Sequence, residues 1–263
     1  MPISALAPEL LRHILGYLGE GDLEAGSLVC RDWLVPCREI YWGRITLFIP
    51  GEIPESLLNV IRDGKTNIPR HLGGLIIDER ECMGDRDPEE AAEWWEELST
   101  VTNHFTSISK VNLEFFNFGE VPDSSREEIL RPGVVTSELT IQHLEAERLS
   151  DLTFFAFQNP RLKVLVLGSI NFSSDNIDAA DIQRALTKPA QLNSLNHLSI
   201  HGNAEGTWAG VVPCLMQLPI LENLKTIVVT CHDDRIVSRL LGKARSSLLS
   251  LALKFEAEGI DFH

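Results

Sequence analysis

One apolar pattern recurs along most of the chain and restricts its fold more than any other feature of the sequence. Two apolar residues stand three positions apart, and a third follows two positions later, as in Leu72-Leu75-Ile77. The pattern occurs seven times, with a weaker copy at Thr136-Leu139-Ile141, and the middle residues lie 24 to 36 positions apart: Ile45, Leu75, Val111, Leu139, Leu165, Leu198, Ile227 and Leu251. Self-similarity at such a spacing indicates an architecture in which each copy supplies one structural unit.

The pattern resembles the core of leucine-rich repeats, in which Leu-x-x-Leu-x-Leu supplies one strand per repeat of about 20–29 residues. The spacing here is longer and less regular, and most copies lack the following asparagine; Asn117 and Asn203 come nearest. The resemblance therefore implies an irregular, degenerate leucine-rich-repeat-like solenoid over residues 44–263. Such a fold is α/β, with a parallel sheet and right-handed strand–helix–strand crossovers.

Several segments between the copies have helical patterns. The clearest starts at Asp87, which is a good N-cap before Pro88, and it places Trp94 and Trp95 at helical spacing with other apolar residues, so the tryptophan pair is predicted to be core. Further helices are predicted over 177–186, 208–217 and 235–241, with weaker signals at 57–61, 129–130 and 149–157.

The first 42 residues predict three short helices. Pro8 can open the first helix, which carries an apolar stripe and is expected to end at Gly19 and Gly21. Asp22 is predicted to cap a second helix that includes Trp33, and Pro36 to open a third that ends near Trp42. So small a unit cannot bury all its large apolar residues, so the surplus implies a partner or a docked neighbouring domain.

This segment resembles an F-box in the order and spacing of its residues. The matching positions are Leu6, Pro8, Glu9, Ile14, Leu15, Leu18, Asp22, Leu23, Leu28, Val29, Cys30, Arg31, Trp33 and Trp42. Ala7 stands where a proline is common, and Gly19-Glu20-Gly21 replaces a proline-rich turn. The resemblance implies an F-box over residues 1–43 that binds a Skp adaptor, and through it a cullin, with Leu6, Pro8, Leu11, Ile14, Leu15, Leu18, Leu23, Leu28, Val29 and Trp33 in the contact. Fungal F-box proteins often resemble this combination with repeats.

Composition excludes several classes of partner. The net charge of −15 argues against binding to nucleic acid phosphates, and no apolar run approaches the ~20 residues that a membrane span needs. Five unpatterned cysteines without a secretory signal predict reduced thiols in the cytoplasm and/or nucleus. Ten acidic side chains between residues 78 and 97 fit either a solvated face or a docking patch for a basic substrate.

The sequence has no recognisable signal for chemistry. His197 and His201 are four residues apart on a predicted strand, roughly 13 Å at ~3.3 Å per residue, which is too far for one zinc ion. Motifs for a nucleophile elbow, a phosphate loop or a dinucleotide site are missing from the sequence. We therefore expect no metal, no cofactor and no catalytic residue.

Recognition is instead expected on the sheet face opposite the core, which is concave in such a solenoid. The residues that alternate with the core pattern lie there, and those predicted to bind a protein substrate are Lys110, Asn112, Thr140, Val166, His197, Ser199 and Val228. The resemblance implies a substrate-recognition subunit of a Skp–cullin–F-box ubiquitin ligase. Two alternatives stay open: an interaction scaffold whose N-terminal helices only cap the solenoid, and an enzyme on a strand–helix framework.

Overall fold

The structure is a computed structural model that describes residues 6–50, 53–63, 70–80, 87–121, 136–146, 148–157, 159–172, 180, 182–183, 192–201, 210–230, 234–244 and 246–254. It is a mixed α/β fold. The strands are β1 Thr46–Pro50, β2 His71–Asp78, β3 Ser107–Glu114, β4 Glu138–Gln142, β5 Leu144–Ala146, β6 Val164–Leu167, β7 Ile170–Phe172, β8 His197–Ile200, β9 Thr226–Thr230 and β10 Ser250–Lys254. Eight of them form an open parallel sheet in the order β1-β2-β3-β4-β6-β8-β9-β10, and β5 pairs with β7 in a small second sheet.

Helices occupy the intervals between strands and the N-terminal segment. They are α1 Pro8–Leu15, α2 Glu20–Ser27, α3 Arg31–Trp42, α4 Glu55–Asp63, α5 Pro88–His104, α6 Leu149–Phe157, α7 Val212–Gln217 and α8 Asp234–Ala244, with short 3-10 turns at Phe118–Glu120 and Pro219–Asn223. The predictions near 57–61, 149–157 and 235–241 therefore coincide with helices. The prediction at 129–130 and most of 177–186 lie outside the described residues. No helix in the described ranges has both the length and the hydrophobicity needed to cross a membrane.

The strand register aligns the middle residues of the apolar pattern with one another. Leu75 pairs with Val111, Val111 with Leu139, and the series continues through Leu165, Leu198 and Ile227 to Leu251. All of these except Leu251 are buried in the main core, because their side chains share the sheet face that the helices cover. Each strand is thus supported chiefly by the strand before it and the strand after it.

The first and last copies of the pattern depart from the prediction. Leu47, not Ile45, pairs with Leu75, because β1 starts one residue after Ile45. Leu251 was expected to be buried, but its side chain is 43% exposed. β10 is the last strand in the sheet order of the described residues, where the neighbouring strand of Leu251 is β9.

The three predicted N-terminal helices exist with different bounds. The first ends at Leu15, before Gly19. Asp22 lies inside α2, because Gly19 takes the N-cap position in an extended conformation and its carbonyl accepts from Leu23 N at 2.9 Å. Pro36 lies inside α3, which begins at Arg31, so Trp33 belongs to the third helix and not to the second.

Helix α5 forms as its sequence predicts. The Asp87 side chain accepts hydrogen bonds from the backbone N–H groups of Glu89 and Glu90, each at 2.9 Å, which satisfies two donors that a helix start leaves free. Trp94 and Trp95 are buried in the main core, where the Trp95 ring lies 5.2 Å from the ring of Phe116 in an edge-to-face arrangement.

The N-terminal helices form a unit with its own small core that packs closely on the start of the sheet. Leu11, Leu15, Leu23 and Cys37 are its buried residues. The Arg44 guanidinium donates to the backbone carbonyls of Leu18, at 2.6 Å, and Gly16, and so joins the end of α1 to the segment before β1. A Cβ at Gly73 would lie 2.5 Å from the carbonyl oxygen of Gly43, so only glycine permits this approach of the two backbones.

Candidate functional site: two partner-facing surfaces

The first candidate surface is an exposed apolar set on the N-terminal helical unit. Leu28 is 81% exposed and Val29 66%, directly after α2, although both are large hydrophobic residues. The exposed members of the set are Leu10, Ile14, Tyr17, Leu28, Val29 and Val35. Burying side chains of this size is worth ~1.5–3 kcal/mol each, so their exposure on one small unit marks a surface suited to a partner.

The residues predicted to contact the adaptor divide into two groups in the structure. Leu28, Val29 and Ile14 are exposed, as is Pro8, and Leu6, Leu18 and Trp33 are half-buried. The side chains of Leu11, Leu15 and Leu23 are instead buried in the core of the unit, so they hold its helices together and do not face a partner. The predicted adaptor contacts did not include Leu10, Tyr17 and Val35. Leu10 belongs to the apolar stripe that helical spacing predicts, but a wide stripe does not show which of its edges stays exposed.

A cleft of about 270 Å³ lies between α2 and α3. Leu23, Leu28, Tyr41 and Trp42 contribute its apolar wall, and Glu24, Ser27, Cys37 and Arg38 line the remainder. Burial, with a smaller contribution from Cys30, raises the pKa of the Cys37 thiol. The cleft therefore adjoins the exposed apolar set at Leu28 and has a mixed lining, in which Glu24 and Arg38 carry charge.

The second candidate surface is the sheet face opposite the core, which we call the non-core face. The register brings all seven predicted substrate-binding residues onto it in two adjacent rows. Lys110, Glu138, Val164, His197 and Thr226 form one row, and Asn112, Thr140, Val166, Ser199 and Val228 form the next. Two apolar side chains extend that second row across β1 and β2: Ile76, which the alternation in the sequence also predicts on this face, and Phe48, which it did not single out.

Polar contacts fix parts of this face. Lys110 Nζ lies 2.8 Å from Glu138 Oε2 across β3 and β4, and the pair is exposed, so it contributes little to stability. The Asn112 side-chain amide donates to Glu114 Oε1 at 2.7 Å. Lys110 and Asn112 therefore both contact carboxylates within the face, and these contacts orient the polar groups that a partner would meet.

Ser199 departs from its predicted exposure. It is only 4% exposed, and its Oγ lies 2.6 Å from Nε2 of His201, whose Nδ1 lies 3.2 Å from Thr230 Oγ1. Burial, then the positive charges of Lys254 and His197, lower the pKa of His201. Ser199 therefore stays a predicted substrate contact, but in this structure its side chain is buried and its hydroxyl lies against the imidazole ring of His201.

The acidic segment supplies structural contacts as well as surface charge. Glu79 is buried and accepts from the backbone N–H of Asn117 at 3.2 Å, and Asp87 caps α5. Glu97 lies 3.5 Å from Arg62 of α4. These three carboxylates have local roles, so the docking interpretation of residues 78–97 is left with fewer free charges than the sequence indicates.

In the described ranges, no group of three or more His, Cys, Asp or Glu side chains comes together to hold a metal ion. His197 lies in β8 and His201 follows its end, as the strand prediction requires. Cys30, Cys37 and Cys214 are free thiols, and burial raises the pKa of Cys214 to about 12.

Comparisons with known proteins assign no family. No model of a known protein family matches the chain, and no curated protein matches its sequence.

Proposed function

We propose that this chain is the substrate-recognition subunit of a Skp–cullin–F-box ubiquitin ligase, acting in the cytoplasm and/or nucleus. Residues 1–43 would bind the Skp adaptor as an F-box, and residues 44–263 would hold a protein substrate as a degenerate leucine-rich-repeat-like domain. Such a subunit performs no chemistry. It raises the effective concentration of the substrate at a conjugating enzyme that is bound elsewhere in the assembly.

One observation carries the adaptor half of the proposal. A small helical unit with its own buried core exposes Leu28, Val29, Ile14 and Tyr17, and Leu28 also lines a cleft between α2 and α3. Those side chains are not needed to hold the unit together, since Leu11, Leu15, Leu23 and Cys37 already fill its interior. Folding leaves these side chains exposed to water, so their burial by a protein partner would contribute favourable hydrophobic free energy to binding.

The substrate half is supported by the in-register rows of the non-core face. Side chains from up to eight consecutive parallel strands present one continuous strip. Its second row contains the apolar residues Phe48, Ile76, Val166 and Val228 together with the polar residues Asn112, Thr140 and Ser199. An extended strip that mixes polar and apolar side chains fits a protein segment better than a small molecule, which prefers an enclosed pocket.

The scaffold alternative is favoured by the close junction between the helical unit and the sheet. Arg44 joins the end of α1 to β1, and the Gly43 and Gly73 backbones are in contact. A cap that only protects the first strand would need the same contacts. The alternative predicts that the exposed apolar set binds no adaptor.

Binding of purified Skp adaptor to Leu28→Asp separates the two possibilities. Leu28 is 81% exposed, so the substitution leaves the fold intact, but a partner would bury the carboxylate unpaired at a cost of several kcal/mol. We expect affinity to fall at least about a hundredfold. Leu249→Asp is the matched control, because Leu249 is also 81% exposed and lies at the far end of the sheet. Absence of binding by the wild-type chain would favour the scaffold.

A charge introduced on the non-core face tests substrate capture separately. Val166→Asp places a carboxylate in the middle of the second row, away from the helical unit. It is expected to weaken capture of substrate from cell extract while adaptor affinity stays unchanged. Capture that survives this variant but is lost on neutralising the acidic segment 78–97 would move recognition to the edge of the sheet.

A further inference from the structure

Three planar side chains form a column at the ends of β2, β3 and β4. The Arg80 guanidinium carbon lies 4.3 Å from the centroid of the Phe115 ring, and the Phe115 ring lies 4.4 Å from that of His143, with 13° between their planes. These separations are close to the ~4.8 Å between neighbouring strands. Each of three consecutive strands of the sheet therefore supplies one planar group to a single stack.

The backbone at the two rings is strained. Phe115 has φ 53° and His143 has φ 54°, the left-handed conformation that bulky residues rarely adopt. Glycine or asparagine would make the same turn at a lower cost in free energy. Phe115 and His143, which are neighbours in the column, thus share an unfavourable backbone conformation that aligns their rings. Backbone strain of this kind is typical of sites that position a ligand.

Among the described residues, no further planar side chain continues the column beyond His143. Leu144 pairs with Ile170, and the Leu144 N–H donates to the carbonyl of Ser169 at 3.0 Å, so Ser169 occupies the position equivalent to His143 after the next strand. Serine has no planar group with which to continue the stack. The His143 side chain is exposed, and among the described residues Phe115 is the ring stacked on it.

The charges around the column favour a planar cation as its next member. Two carboxylates contact the Arg80 end of the column. Arg80 lies 3.9 Å from Asp78 and 3.5 Å from Glu114, which shows how the column already holds one guanidinium group. Glu145 follows His143 by two residues in the sequence, and its side chain is exposed.

We propose that the outer face of His143, next to Ser169, is a subsite for an arginine side chain of a basic protein segment. The guanidinium would stack on the imidazole as Arg80 stacks on Phe115, with Glu145 as the nearby carboxylate. The inference rests on the proposed function in taking that segment to belong to the substrate, and it gives the substrate class as proteins with an exposed arginine in a basic stretch.

NMR of the full chain labelled with ¹³C-histidine tests the subsite. The ring signal that disappears in His143→Asn belongs to His143, and asparagine is the replacement that best tolerates the left-handed conformation. Blocked Gly-Ser-Arg-Ser-Gly should shift this signal, with an apparent dissociation constant about threefold to tenfold lower than that of the peptide with lysine in place of arginine. Equal affinity for the two peptides would overturn the proposal. A third peptide with phenylalanine in place of arginine should bind more weakly than the arginine peptide, and tighter binding of the phenylalanine peptide would also overturn the proposal.

Position 169 offers a matched pair of variants. Ser169→Tyr should place a ring of the same chain on the open face and weaken the arginine peptide about tenfold, whereas Ser169→Ala should leave its affinity unchanged. If Ser169→Tyr does not fold, the arginine–lysine comparison on the wild-type chain still decides. If the chain prefers the arginine peptide but binds no adaptor, only the proposed ligase function is refuted. If it binds the adaptor but does not prefer arginine over lysine, only the proposed subsite is refuted.

Discussion

Replacing Gly73 by alanine tests the junction between the helical unit and the sheet. The new Cβ would lie 2.5 Å from the Gly43 carbonyl oxygen and 2.8 Å from that of Ile45. Contacts below 3.0 Å are essentially never seen for Cβ atoms, so backbone must move by at least about 0.5 Å. The Ile45 carbonyl cannot move freely, because it accepts from Gly74 N at 2.9 Å.

The magnitude follows from two opposing effects. Alanine in a strand is favoured over glycine by ~0.5–1 kcal/mol, because it loses less backbone entropy on folding. Overpacking against fixed atoms costs ~1–3 kcal/mol, and weakening the Gly74–Ile45 hydrogen bond costs a further ~0.5–1.5 kcal/mol. We therefore expect Gly73→Ala to lower the free energy of unfolding by about 1–3 kcal/mol.

Urea unfolding followed by tryptophan fluorescence measures the change, as a lower midpoint at unchanged slope. Gly242→Ala is the matched control: it lies in α8, where an added Cβ meets nothing within 4 Å, so it should stabilise the chain by ~1 kcal/mol. A neutral Gly73→Ala beside a stabilising Gly242→Ala would refute the close contact of Gly43 and Gly73.

Three further predictions concern the sheet, α5 and pH. Leu165→Ala should cost ~2–5 kcal/mol in urea unfolding because Leu165 is fully buried, and Val166→Ala on the other face should cost clearly less; equal costs would contradict the assignment of faces. Asp87→Ala should lower the free energy of unfolding by ~0.5–2 kcal/mol through loss of the α5 cap, whereas Asp87→Asn should retain most of this stability because asparagine also caps helices. The pKa of His201 is lower in the folded chain than in the unfolded chain, where it is near 6.5. The neutral imidazole therefore contributes its full stability above pH 6.5, and this contribution is lost as the pH falls through the pKa of the folded state. Thermal unfolding from pH 7.5 to 5 should therefore show a weaker pH dependence in His201→Gln, and an unchanged dependence would contradict the shift.

The apolar pattern predicted the strands of the sheet and their register because its last two residues must share one buried face. Val111, Leu139 and Leu165 follow this rule and lie side by side. The rule failed at the ends. Ile45 precedes β1 where the helical unit packs, and Leu251 lies on the last strand of the sheet as the described residues define it. Neither circumstance can be read from the residues within one copy of the pattern.

The candidate surfaces were predicted less completely than the strands. Composition identified an apolar N-terminal unit, but it could not separate Leu15, which is buried, from Ile14, which is exposed, because one residue turns a helix by about 100°. The column of Arg80, Phe115 and His143 was missed altogether. Phe115 and His143 each stand two residues after a patterned residue, which is a usable signal, but their left-handed backbone follows from the turn that comes after each strand.

Hydrogen–deuterium exchange of the full chain with and without purified Skp adaptor tests the central claim most directly. The proposed function predicts a stable complex in which the amides of α1, α2 and the segment around Leu28 and Val29 exchange more slowly. The amides of β3, β4 and β6 should be unaffected, because the non-core face is left for substrate. Failure to form a complex, or protection confined to the sheet, would contradict the assignment of the N-terminal helices as the adaptor-binding unit.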